Sequence, residues 1–251
     1  MSPRARPERR DDQPAFVLHA WPYKETSLIV EAFTRDCGRV GIVARGAKRP
    51  RSELRGLLQA FQPIAVSYAG TAELKTLVKA EWRGGVPPPS GHALLSGFYL
   101  NELLLKLLPR EDPHPGLWDD YERSLAALAA SSSAAAQAAV LRHFEVGLLA
   151  ALGYALPLTH EAGSAAAIDP SARYHYAFDH GARPFAAEPD ARWPIVRGAT
   201  LLALADSSYP DAETAAEAKR LMRDILDHYL DSRRIESRRI VADLQALDGD
   251  R

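Results

Sequence analysis

The stretch Arg45-Gly46-Ala47-Lys48-Arg49-Pro50-Arg51-Ser52-Glu53-Leu54-Arg55-Gly56 sets five cations around glycine and proline, directly after a strand-like run. So many like charges on one short loop resist burial, and are either solvated or matched by anions. The chemistry on offer is electrostatic. Lysine and arginine that neutralise phosphates release the polymer's counterions, which yields affinity without base preference. A merely solvated loop is the plainer reading of any basic stretch of this length.

Residues for covalent chemistry are harder to find. A P-loop needs glycine immediately before Lys-Ser/Thr so that the backbone wraps phosphate, and the nearest approach, GTAELKT, has Leu74 in that position. Neither a GxSxG elbow nor an HExxH pair nor a Gly-rich dinucleotide fingerprint occurs. His160, Asp169, His175, Asp179 and His180 gather in one irregular segment, and imidazole with carboxylate is a reasonable ligand set for a metal. Polar residues also collect in solvated loops, however, and His175 and Asp179 share i, i+4 spacing where no helical pattern exists. Asp119, Asp120 and Glu122 read as a wet helix face. We assign no catalytic residue, no metal and no cofactor, and expect a protein that is not an enzyme.

Cys37 is the only cysteine, so an intramolecular disulfide and any zinc site needing two thiolates are excluded. Charge is unevenly spread. Up to residue 85 there are fifteen basic and nine acidic residues, a net +6, leaving −7 for the remainder of a chain whose total is −1. A basic part joined to an acidic part is the asymmetry expected when one of them faces a polyanion. No apolar run is long enough to cross a bilayer and the N-terminus has no signal-like stretch, so a cytoplasmic protein is expected.

The elements that must position the loop are strands. FVLHAW, SLIVEAF, RVGIVAR, PIAVSY and ELKTLVKAEW are short, β-branched and alternating, with turn formers between them and no helical crossover. Five such strands predict a small antiparallel barrel of the OB type over 14–84, after a disordered tail at 1–13. The run GGVPPPSG at 84–91 breaks all periodicity and predicts a linker at 85–91. Beyond it the period becomes helical. The fold class is therefore α+β, a barrel followed by an all-α bundle over 92–248, with a last helix from 237 to 247 and an irregular insertion at 158–194.

On this barrel the cations expected to meet nucleic acid are Lys24, Arg35, Arg39, the loop residues Arg45, Lys48, Arg49, Arg51 and Arg55, and Lys75. Of the aromatic residues Phe16, Trp21, Tyr23, Phe33, Phe61, Tyr68 and Trp82, most are expected in the core. Tyr23, in a turn beside Pro22 and Lys24, is the expected base stacker.

The run PYKETSLIVEAFTRDCGRVGIVARGAKRPRSELRGLLQAFQPIAVSYAG, followed by ELKTLVKAE, resembles the N-terminal OB domain of the RecO family. GFYLNELLLKLLPREDPHPGLWDDYERSLAAL and RHFEVGLLAALGYALPL extend the likeness to roughly 14–158. It fades over 162–190, where some members carry a four-cysteine zinc ribbon that this chain lacks. The resemblance implies a protein that binds single- and double-stranded DNA and anneals complementary strands. It also implies cooperation with RecR and with single-stranded-DNA-binding protein to help load RecA. The residues alone leave three alternatives open: an OB-fold RNA-binding protein, a protein-interaction scaffold, and a metal-dependent hydrolase built on the His/Asp segment.

Overall fold

A computed structural model describes residues 8–85, 87–185, 193–230 and 235–240. The chain divides into two compact units, Met1–Ala129 and Ala130–Arg251.

In the first unit, β1 (Arg9–Tyr23), β2 (Ser27–Thr34), β3 (Gly38–Ala44), β4 (Pro63–Ala69) and β5 (Leu74–Trp82) close a barrel in the order β1-β2-β3-β5-β4. Fifteen residues make β1 long enough to pair with β2 along its second half and with β4 along its first, which removes both free edges. All pairings are antiparallel except β3 with β5. The antiparallel expectation fails at that one seam because residues 45–62, including the single helical turn α1 (Leu54–Leu57), carry the chain back before the β4–β5 hairpin begins. Ala15, Val17, Val30, Ala32, Val40, Ile42, Ala44, Ile64 and Val66 alternate into the interior. Each buried valine or isoleucine contributes about 1.5–3 kcal/mol.

A bulge at Leu18 shifts the phase of β1. Its register with β2 slips between Val17 and His19, so that Ala15 and Val17 point inward before the bulge and Ala20 does so after it. His19 and Trp21 are thereby turned to the outside. Without the bulge, they would follow Val17 into the core.

The helices α2 (His92–Leu107) and α3 (Pro115–Ala130) belong to the same unit as the barrel. Phe16 and Phe33 lie on the barrel's outer face, and α3 covers them with Trp118 and Tyr121, the rings of Phe16 and Trp118 being 5.2 Å apart. Asn101 of α2 donates to the Leu18 carbonyl at 2.9 Å, satisfying a group the bulge leaves over. Gly97 permits this packing, since a Cβ there would stand 2.9 Å from the Phe61 ring.

In the second unit, α4 (Ala134–Ala151), capped by Ser133, and α5 (Gly198–Asp206) pack with α6 (Ala212–Tyr229), capped by Asp211. β6 (Arg173–Ala177), β7 (Gly181–Pro184) and β8 (Ile195–Arg197) form a three-stranded sheet in the order β7-β6-β8.

Three expectations about organisation need correction. The tail assigned to 1–13 is already strand from Arg9, because Arg9 and Arg10 pair with Ala69 and Tyr68; residues 1–7 lie outside the described residues. The strands do end before 85–91, yet the compact units part between Ala129 and Ala130, because α2 and α3 bury their apolar faces on the barrel. The insertion expected to be irregular holds most of a small sheet whose strands, five, four and three residues long, are too short to show a period. The expected last helix is helical over 236–240, and its remainder lies outside the described residues.

Candidate nucleic-acid interface

The loop after β3 is pinned from beneath. Gly46 adopts φ +71°, a left-handed conformation that turns the chain, and the methyl of Ala47 is fully buried in the barrel core. The Lys48 N–H donates to the Thr26 carbonyl at 2.9 Å, which ties this loop to the β1–β2 turn carrying Lys24. Successive turns follow, with Ser52 N–H on the Arg49 carbonyl at 3.0 Å and Leu58 N–H on the Leu54 carbonyl at 2.9 Å, while Leu54 and Leu58 pack on the core. The apolar side chains are anchored and the cations are turned out.

Arg45, Lys48, Arg49, Arg51, Arg55 and Lys24 are all exposed, and none has a carboxylate partner among the described residues. Lys24 lies with its Nζ 5.3 Å from the centre of the Tyr23 ring, a cation–π contact that leaves its charge available. Six cations thus share two adjoining loops at one end of the barrel.

The structure does not bring Arg35, Arg39 and Lys75 into this group. Arg39 Nη1 donates to Glu31 at 2.9 Å and its Nε to the Leu108 carbonyl at 2.9 Å; its side chain is 16% exposed. Glu31, 1% exposed, also receives Arg110, which reaches Glu73 as well. The Glu31 carboxylate raises the Arg110 guanidinium above its already high ordinary value. Lys75 is buried at the same end, 2.7 Å from Glu111. Arg35 meets Asp119 of α3 in a bidentate pair at 2.9 and 3.1 Å, whose hydrogen bond holds the Asp119 carboxyl below the ordinary carboxylate range. These three expected phosphate ligands are instead paired with carboxylates, two of them supplied by α3 and the segment leading into it.

The expected stacker Tyr23 is half-buried under Lys24. Phe16, Phe33, Phe61 and Tyr68 are buried, whereas Trp21 is 41% exposed and Trp82 64%. Sequence reasoning passed over Trp21 because the bulge that turns it outward leaves no mark in the alternation of FVLHAW.

The His/Asp-rich segment is dispersed. His175 is buried on β6 and stacked on Phe185 at 5.1 Å, Asp169 accepts from Ser171, His160 bonds Thr159, and Asp179 faces His228 at 3.5 Å. Among the described residues no three His, Cys, Asp or Glu side chains converge on a metal position. His180 closes the β6–β7 turn, its N–H donating to the Ala177 carbonyl at 2.9 Å.

Comparison with known proteins bears on the whole chain. Residues 10–86 match the family described as Recombination protein O N terminal, and residues 88–239 the one described as Recombination protein O C terminal. The DNA repair protein RecO of Dechloromonas aromatica is 49% identical over 238 residues, covering 94% of this chain and 97% of its own. The proteins of that name from Aromatoleum aromaticum and Azoarcus sp. are each 46% identical, covering 96% of this chain and 98% of theirs.

Proposed function

The chain belongs to the RecO family, and from that premise we propose that it is a DNA repair and recombination mediator that binds single- and double-stranded DNA and anneals complementary strands. With RecR it helps load RecA onto DNA coated by single-stranded-DNA-binding protein, in the cytoplasm and at the nucleoid. It works without catalysis. Annealing forms no covalent bond; it needs only enough charge neutralisation for two polyanions to approach while their bases remain free to pair.

The observation that carries this reading is the set of six exposed cations, without carboxylate partners among the described residues, on two joined loops of an OB-type barrel. Barrels of this topology bind strands across one face and clasp them with loops. No helix among the described residues is long and apolar enough to cross a membrane.

The test is a titration of a fluorescent single-stranded oligonucleotide at several salt concentrations, with the wild type and with Lys48, Arg49 and Arg51 all replaced by glutamate. Log affinity should fall linearly with log salt at a slope of roughly 0.7 per phosphate neutralised, and the triple variant should lose about three phosphates' worth of it. Absence of binding by the wild type at low salt overturns the reading. Binding that the triple variant retains in full removes the loop from it.

A further inference from the structure

Beside the cations lies an uncharged surface for which they alone give no reason. The pairing register sets Trp21 opposite Ile29 and Ile29 opposite Val43, and all three face outward, since Leu28, Val30, Ile42 and Ala44 of the same strands face the core. Trp21 is 41% exposed, while Ile29 and Val43 are half-buried. The His19 ring packs 4.3 Å from the indole. Farther along β1 and β2 the outer face is occupied by the Glu31–Arg39–Arg110 cluster, then by Phe16 and Phe33 beneath α3. The part that the described residues leave uncovered is therefore one apolar row, running from Trp21 across three strands. On its loop side, two residues on from Trp21 and Val43 along their strands, stand Tyr23 and Arg45, with Lys24 and Lys48 just beyond.

We propose that Trp21, with Ile29 and Val43 beside it, is a base-stacking platform for single-stranded DNA whose phosphates are held by Lys24, Arg45 and Lys48. The proposal rests on the DNA-binding reading above and deepens it by dividing the site into two parts with different jobs. The loops attract any phosphate backbone, single or double. The indole rewards only bases whose faces are open, because in a duplex those faces are already stacked on their neighbours. Charge complementarity at the rim commits the surface to a polyanion. The apolar row commits it to a polyanion that exposes flat rings. The arrangement would also serve annealing, since stacking holds a base by its face and leaves its pairing edge open.

The experiment compares three fluorescent ligands of equal length: oligothymidylate, an abasic oligonucleotide with the same sugar-phosphate chain, and a duplex. Wild type, Trp21→Ala and Trp21→Phe are titrated with each. The wild type should prefer oligothymidylate to the abasic strand by roughly tenfold, a typical yield of one aromatic–base contact. Trp21→Ala should erase that preference while leaving abasic and duplex affinity and the salt slope unchanged, and Trp21→Phe should restore most of it. Quenching of tryptophan emission by oligothymidylate should shrink in Trp21→Phe. Equal loss on all three ligands in Trp21→Ala, or no loss on any, overturns the platform and leaves the phosphate-binding loops standing. Failure of the wild type to bind any ligand overturns the DNA-binding reading, and the platform with it.

Discussion

The two ends of the barrel both gather cations and put them to opposite uses. At the end formed by the β1–β2 turn and the exit of β3, Lys24, Arg45, Lys48, Arg49, Arg51 and Arg55 face solvent without carboxylate partners among the described residues. At the other end, around the β2–β3 turn, Arg35, Arg39, Lys75 and Arg110 each hold a carboxylate. Here α2, α3 and the segment between them meet the barrel, and Glu111 and Asp119 come from that region. An arginine's role is set by what the fold delivers to it. The closed end spends its charges on cohesion, and the open end holds them ready for a ligand.

The largest effect that would sharpen this contrast is expected at Glu31. Its carboxylate is 1% exposed and receives both Arg39 and Arg110. Glu31→Gln leaves two guanidinium groups facing each other around a neutral amide, and breaking a buried pair in this way costs about 3–5 kcal/mol. Urea unfolding should register that loss, while the DNA affinity of the folded variant and its salt slope stay at wild-type values. The loop variant with Lys48, Arg49 and Arg51 reversed should behave conversely: affinity falls, and stability moves by no more than about 0.5 kcal/mol per site, as exposed substitutions generally do. If Glu31→Gln abolished DNA binding at temperatures where it remains folded, the division of labour between the two ends would be broken.

A smaller effect is expected at Lys75, whose side chain is 11% exposed against Glu111. Lys75→Met keeps the apolar stem and removes the charge, which should cost about 1–2 kcal/mol. The salt slope of DNA binding should not change. A slope reduced by about 0.7 would instead restore Lys75 as a phosphate ligand.

How much of this was legible beforehand follows from the range of each signal. The five strands were visible because alternation is local, and the basic loop because its charges are adjacent in sequence. The pairing of Arg35 with Asp119 was not, since the two residues are 84 positions apart and each alone looks like an ordinary surface charge. Nor was the exposure of Trp21: the bulge at Leu18 inverts the face of every later residue of β1, and it shows only in the register with β2, which lies outside β1's own sequence. The compact unit was misjudged for a related reason. GGVPPPSG marks a change of local structure, whereas the rings of Trp118 and Tyr121 on Phe16 decide which helices share the barrel's core.

The smallest effect, and the finest test of the comparison, lies in the Arg35–Asp119 pair, whose side chains are 41% and 36% exposed. Arg35 holds the Asp119 carboxyl below its ordinary range, first through their hydrogen bond and then through charge. The sign follows: a carboxylate whose folded value is depressed contributes stability that is present above its unfolded value, near 3.9, and is lost as pH falls through the folded one. Wild type and Asp119→Asn should therefore differ modestly at pH 7 and converge once the pH has fallen through the depressed folded value of Asp119, with the difference shrinking in high salt because both groups are largely solvated. Arg35 is also the residue on which the two ends compete most closely, being exposed enough to reach a phosphate. If it belongs to the closed end, Arg35→Ala leaves the salt slope of DNA binding intact and reproduces the acid-limb behaviour of Asp119→Asn. If the slope falls by about 0.7, Asp119 is a placeholder that DNA displaces, and the boundary between the two ends moves to include the β2–β3 turn in the binding surface.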